Sequence, residues 1–324
     1  QSIEIAIDNL LSTKRRVCEK FVSRDFVFLF EAYHAEKSIA KRLNVLLKYP
    51  PENPIDVNKY IAKIEKTTQI EYAEKQKEAI ITAVNKGILI LTGGPGTGKT
   101  TTLNGIINMF EKDFLDMALC APTGRAAQRM TEATGRNATT IHRLLEVEWG
   151  EGDKPVFKRN LRNPIDCQAV IVDEMSMVDM FLMNALLKAV SVGTRLVLVG
   201  DVDQLPSVGA GNVLRDIIKS GRFSVVMLTK IFRQEEQSHI VLNAHKINKG
   251  EQISLDNKSK DFLFVRKQTA NDVIDATVKL VKEKLPEYVG CDKMEVQVLT
   301  PMRKGVLGVE NLNIILQKNL NPPS

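Results

Sequence analysis

Residues 87 to 104, GILILTGGPGTGKTTTLN, constrain this chain more than any other stretch. Ile88, Leu89, Ile90 and Leu91 form a short continuous apolar run, as expected of a strand buried on both faces. The loop that follows, Gly93-Gly94-Pro95-Gly96-Thr97-Gly98, has almost no side-chain bulk, and its glycines reach φ > 0 freely. Such a loop can wrap round a polyphosphate and aim successive backbone N–H groups at its oxygens, at a helix N-terminus whose dipole favours anions. Lys99 adds a mobile positive charge for the β- and γ-phosphates, and the Thr100 hydroxyl is placed to ligate Mg²⁺. The expected nucleotide-binding set is therefore Gly93, Gly94, Pro95, Gly96, Thr97, Gly98, Lys99, Thr100 and Thr101, with a nucleoside triphosphate and Mg²⁺ as ligands.

Two further apolar runs end in polar groups. Ala169 to Val172 leads into Asp173-Glu174. Adjacent carboxylates leaving a buried strand suit a division of labour in which Asp173 holds Mg²⁺ and Glu174 orients and deprotonates the attacking water. Leu196 to Val199 leads into GDVDQLPSVGAG, residues 200 to 211, where Gln204 is close enough to the strand to reach the γ-phosphate. A strand at Ser224 to Leu228 then leads into TKIFRQ, and Arg233 is the candidate arginine finger, with a salt-bridged surface arginine as the plain alternative.

Other positions are open on the residues alone. Gln76 lies on a helical pattern ahead of the loop; its amide could pair with an adenine edge, although an exposed helical glutamine explains it better. APTGRAAQRM, residues 121 to 130, offers Thr123, Arg125 and Arg129 as phosphate donors at the end of a strand, and a capped helix start accounts for it equally well. His142 reads as structural. Residues 147 to 162, VEWGEGDKPVFKRNLR, read as a surface β-hairpin carrying the only tryptophan, Trp149, and a basic arm of Lys158, Arg159 and Arg162.

Composition excludes more than it selects. The 324 residues suffice for about two domains. A net charge of +6 is thin over this length, so an anionic partner is permitted and not required. The four cysteines make no C-x-x-C pair and the four histidines no H-x-x-x-H, so neither a disulfide framework nor a zinc site is supported. No apolar run approaches the roughly 18 residues of a membrane span and no signal peptide opens the chain, which makes cytoplasmic the default. Because the chain opens on Gln1 and stops just after a helical pattern, a fragment of a longer protein is expected.

In order, GGPGTGKT at 93 to 100, APTGRAA at 121 to 127, TTIHRLL at 139 to 145, VDEMSM at 172 to 177, GDVDQLPSVGAG at 200 to 211, IFRQ at 231 to 234 and LTPMRKGVLGVENLN at 299 to 313 resemble the superfamily 1B DNA helicases of the RecD-like type. That family includes the alpha subunit of exonuclease V and free-standing relatives. The resemblance implies an α/β fold: a RecA-like P-loop NTPase domain on a parallel sheet at 67–224 with the hairpin as an insertion, an incomplete second RecA-like domain at 225–324, and a small N-terminal helical or winged unit at 1–66. It further implies ATP-driven 5′ to 3′ movement on single-stranded DNA in recombination and repair. Gln76 would read adenine, and Lys99, Glu174, Gln204 and Arg233 would serve catalysis. Pro122, Thr123, Arg125, Thr140, His142 and Ser207 would line the DNA track, and the hairpin would act as a wedge at a duplex fork. Nuclease or helicase subunits are possible partners. An HKSQG-like and a YTAxTR-like motif are absent, from which poor unwinding by this chain is expected. A P-loop kinase-like ATPase and a nucleotide-gated binding module in a larger nuclease complex are the alternatives.

Overall fold

The computed structural model describes residues 2–13, 16–21, 24–51, 57–113, 115–150, 155–230 and 238–322. Gln1–Gln252 form one compact unit and Ile253–Ser324 a second.

The first unit is built on a six-stranded, wholly parallel sheet. Its strands are β3 (Ile88–Gly93), β4 (Met117–Ala121), β5 (Ala138–Thr140), β8 (Ala169–Val172), β9 (Arg195–Gly200) and β10 (Ser224–Leu228), in the spatial order β10-β3-β9-β8-β4-β5. The continuous apolar runs are explained by burial on both faces: every residue of β3, β8 and β9 is buried. Alternate side chains enter different cores, as strand geometry demands. Ile88, Ile90, Val170, Val172, Leu196 and Leu198 join one. Leu89, Leu91, Ile171, Val197 and Val199 join the other.

Helices cover both faces. Helix α2 (Phe30–Lys48) packs on α8 (Met180–Ala189) over the first core, while α3 (Val57–Thr68), α4 (Glu74–Asn85) and α5 (Lys99–Lys112) cover the second. Among the described residues this unit also has helices α1 (Ser2–Ser12), α6 (Gly124–Thr134), α7 (Ile141–Leu144), α9 (Val213–Lys219) and α10 (His239–Asn248). Two antiparallel hairpins complete it, β1 (Arg16–Phe21) with β2 (Arg24–Leu29), and β6 (Val147–Trp149) with β7 (Pro155–Phe157). The second pair forms the arms of the expected hairpin; residues 151–154 of its turn lie outside the described residues.

The expected domain boundaries are corrected at both ends. Residues 1–66 are not a separate unit: Ala35, Ile39, Leu43 and Leu46 form a helical stripe on α2 that is buried in the sheet's own core. The Arg42 guanidinium also donates to the carbonyls of Leu187 at 3.1 Å and Val190 at 2.6 Å, satisfying the C-terminal end of α8. At the other end, β10 is a strand of the first sheet, paired in parallel with β3, so a boundary at 225 would cut through that sheet.

The second unit contains α11 (Ala270–Lys279), a π-helical turn at Leu280–Lys284 running into α12 (Leu285–Val289), and α13 (Val309–Leu320). The apolar segments 262–265 and 296–300 form no strand among the described residues. A strand exists only through its ladder, and neither segment has a pairing partner among the described residues. Leu263, Phe264, Val265 and Leu299 are accordingly exposed.

Candidate nucleotide site and its surroundings

The phosphate loop turns out of β3 at Gly93 and enters α5 at Lys99. Gly96 (φ 72°) and Gly98 (φ 82°) take the left-handed conformation that side chains disfavour, which is why this turn is written in glycine. Loop residues bond to one another: the Thr97 hydroxyl donates to the Gly94 carbonyl at 2.8 Å, and the Lys99 ammonium donates to the carbonyls of Gly93 at 2.6 Å and Gly94 at 3.0 Å. An ammonium has three donors, so one stays available to a phosphate.

Acidic groups surround that ammonium. Burial pushes the Lys99 pKa down, and the negative charges of Asp201, Glu174 and Asp173 push back. Burial likewise raises Asp173, opposed by the Glu174 N–H that bonds its Oδ1 at 2.9 Å and by Lys99. Glu174 is raised by burial first and by the charge of Asp173 next, with Lys99 and Arg129 opposing. Its backbone is left-handed (φ 54°, ψ 41°), a strained state for a non-glycine residue held where the chain leaves β8 for a 3₁₀ turn.

Asp201 escaped the sequence reading. It is 3% exposed at the end of β9, and its Oδ1 accepts the Asp203 N–H at 3.0 Å. The signal was present: Leu196 to Val199 followed by a glycine and an acid repeats the apolar run and carboxylate of Asp173. What the chain alone did not reveal is that β9 lies between β3 and β8, so that Lys99 feels the acids of both following loops.

The oxygen donors fit Mg²⁺, which prefers such ligands, keeps several waters and takes few protein groups beside substrate phosphates. Asp173 and Asp201 supply carboxylates and Thr100 an exposed hydroxyl in the first turn of α5. No cluster of three or more His, Cys, Asp or Glu able to hold a metal occurs among the described residues.

Gln76 is 2% exposed, against the expectation of an exposed helical glutamine. Its Oε1 accepts the Ala73 N–H at 2.9 Å and its Nε2 donates to the Gly98 carbonyl at 3.3 Å, which ties the start of α4 to the phosphate loop. Beside it lies a cavity of about 360 Å³ lined by Tyr72, Gln76, Lys77, Thr97, Leu228 and Thr229.

The remaining site residues divide. The Gln204 side chain is exposed on the turn after β9, where its N–H bonds the Asp201 carbonyl at 3.3 Å. Arg233 lies outside the described residues. Pro122, Thr123, Arg125, His142 and Ser207 follow carboxyl ends of strands and Thr140 is the last residue of β5, at the edge where open α/β sheets bind ligands. Three of them also hold backbone. Thr123 accepts the Ala126 N–H at 3.2 Å to cap α6, Thr140 accepts the Arg143 N–H at 3.1 Å to cap α7, and Ser207 donates to the Gly209 and Gly211 carbonyls, both at 3.0 Å. Arg125 is exposed in the first turn of α6. His142 stands 6.0 Å from the Phe157 ring, centre to centre, joining the hairpin to this edge. In the hairpin's basic arm, Lys158 pairs with Glu148 at 2.6 Å and Arg159 with Glu146 at 2.8 Å.

Known proteins agree with this architecture. A family described as AAA domain matches residues 76–210. The ATP-dependent RecD2 DNA helicase of Deinococcus radiodurans is 36% identical over 296 residues, which cover 91% of this chain and 39% of that protein. The RecBCD enzyme subunit RecD of Mycolicibacterium smegmatis is 41% identical over 169 residues, 45% of this chain and 30% of that protein. Its counterpart in Haemophilus influenzae is 32% identical over 217 residues, 59% of this chain and 33% of that protein. The chain thus spans about two fifths or less of each of these three relatives. Over the matched residues the chain is similar to the RecD and RecD2 helicases, and its parallel sheet, phosphate loop and covering helices make an α/β P-loop fold.

Proposed function

We propose that this chain is the ATP-hydrolysing part of a DNA helicase that moves 5′ to 3′ on single-stranded DNA in recombination and repair, in the cytoplasm. The observation that carries the reading is the burial of Lys99 among Asp173, Glu174 and Asp201 beside a loop with left-handed glycines. One ammonium beside three partly or fully buried acids leaves an excess of negative charge that is costly to bury, and a divalent cation offsets it while the loop N–H groups and Lys99 receive the phosphates.

In this reading the loop from Gly93 to Gly98 wraps the phosphates, and Lys99, with Thr100 and Thr101 behind it, neutralises them. Asp173 and Thr100 hold Mg²⁺, which when bound offsets the charge that develops on the phosphates. Glu174, its proton affinity raised toward the working range of a base, takes the proton of the attacking water. Gln204 senses the γ-phosphate and Arg233 stabilises the charge on it. Adenine is received beside Gln76, whose bonds to Ala73 and Gly98 make it a brace between the base pocket and the loop. Pro122, Thr123, Arg125, Thr140, His142 and Ser207 line the DNA track, the hairpin meets the fork, and helicase or nuclease subunits are the partners.

ATP hydrolysis with and without single-stranded DNA tests the proposal. Strong stimulation supports it. Turnover insensitive to DNA points instead to a kinase-like ATPase, and DNA binding without turnover to a nucleotide-gated module.

A further inference from the structure

Gly94 is not among the left-handed glycines of the loop, so its backbone would accept other residues. What a side chain there would meet and displace is a histidine far along the sequence. A Cβ on Gly94 would lie 2.6 Å from His245 Cε1 and 3.4 Å from each ring nitrogen, and no other atom would be nearer. The ring reaches the loop from α10, and its Nε2 stands 3.3 Å from the Pro95 carbonyl oxygen. A carbonyl only accepts, so Nε2 carries the hydrogen, a condition that the Nε2–H tautomer and the imidazolium both meet.

This contact completes a series. Lys99 and Thr97 hold the carbonyls of Gly93 and Gly94, and His245 holds the next one, that of Pro95. In a trans peptide the C=O and the following N–H point in opposite directions. No cis peptide occurs among the described residues, so a Pro95 carbonyl fixed toward α10 aims the Gly96 N–H away from that helix. Loop N–H groups are what a phosphate binds. The ring itself sits half-buried at a cavity of about 510 Å³ lined also by Thr92, Gly93, Asp201 and Leu242, while α10 is anchored separately by buried Val241 and Asn243.

We propose that His245 is a positioning residue of the phosphate loop: it fixes the Pro95–Gly96 peptide so that the Gly96 N–H is presented to phosphate, and Gly94 is glycine to admit its ring. The proposal rests on the nucleotide reading above. It adds to the site a group that the loop and strand-end motifs do not contain, and it links nucleotide occupancy to α10.

The test is equilibrium titration with a fluorescent N-methylanthraniloyl-ADP, run on the parent chain, His245→Ala, His245→Gln, Gly94→Ala and the double variant Gly94→Ala/His245→Ala. Loss of one positioning hydrogen bond is expected to weaken binding about three- to tenfold in His245→Ala. His245→Gln, whose amide N–H can meet the same carbonyl, recovers part of it. Gly94→Ala displaces the ring, so the two alanine substitutions are non-additive and the double variant is weakened by less than the product of the single effects. Urea unfolding without nucleotide, on the same variants, reads the Gly94–His245 coupling independently of any ligand. A parent chain that fails to bind the ADP analogue overturns the nucleotide reading itself. A parent that binds, together with a His245→Ala variant that binds equally well or a fully additive pair, overturns the positioning role alone.

Discussion

The Lys99 ammonium donates to the Gly93 carbonyl at 2.6 Å, folded back onto the loop that carries it, while Asp201, Glu174 and Asp173 act on it from the neighbouring strand ends. The lysine therefore braces the loop that carries it and offsets part of the charge of the three acids. Lys99→Ala should reduce ATP turnover by about 10² to 10³, the range for deleting one preorganised charge-stabilising donor. Far-UV circular dichroism should stay that of the parent, because α5 keeps its Gly98 start and its buried Leu103, Ile106 and Phe110. An unchanged ATPase rate would sink the phosphate assignment.

The loop, Asp173 and Glu174 were legible because each depends on a local rule, a strand buried on both faces followed by residues of the required chemistry. Asp201, Gln76 and His245 were harder because their roles depend on neighbours that only the fold supplies. Strand order puts Asp201 near Lys99, and Gln76 reaches Gly98 across 22 residues and His245 reaches Pro95 across 150. The strand at β10 and a helical N-terminal segment were readable, but nothing local says which core takes Leu43 or which sheet takes Val226. The apolar runs at 262–265 and 296–300 show the limit of that rule, since such a run becomes a strand only where a ladder partner exists.

The stripe on α2 yields a stability prediction. Leu46 is 1% exposed and sits in the core shared by β3, β8, β9 and α8. Leu46→Ala should cost about 2–5 kcal/mol, the usual range for truncating a buried leucine. Urea unfolding followed by circular dichroism and by displacement of a bound fluorescent nucleotide should shift together. A shift in the first alone would mean that residues 1–66 fold apart from the nucleotide site.

Acid sensitivity should be traceable to Glu65. Its Oε1 accepts the Tyr72 N–H at 2.9 Å, and the Lys77 ammonium lies 3.0 Å away. The backbone bond first, and Lys77 second, hold the carboxyl below the ordinary glutamate value of 4.5. With the folded pKa below the unfolded one, the contribution is complete above the unfolded value and disappears as pH falls through the folded one. Glu65→Gln should therefore lower stability at neutral pH and flatten its decline in acid. Parallel stability–pH curves for parent and variant would exclude Glu65 as a source of that decline.

Trp149 offers a test of the fork reading with its own optical signal. It is the only tryptophan in the chain and is 66% exposed on β6, with Val156 55% exposed on the strand opposite. The hairpin is braced outside the site by the Lys158–Glu148 and Arg159–Glu146 pairs, so the indole can be removed without loss of the scaffold. If the hairpin meets a duplex junction, forked DNA should quench the indole fluorescence more strongly than a linear single strand of equal length. Stacking of a base on an aromatic side chain is worth about 1–3 kcal/mol. Trp149→Ala should therefore weaken binding to the fork about five- to a hundredfold while leaving ATPase stimulation by linear single strands intact. Equal quenching by fork and linear strand, with equal affinities in the variant, would remove the hairpin from the junction and leave Trp149 as an exposed side chain on a surface turn.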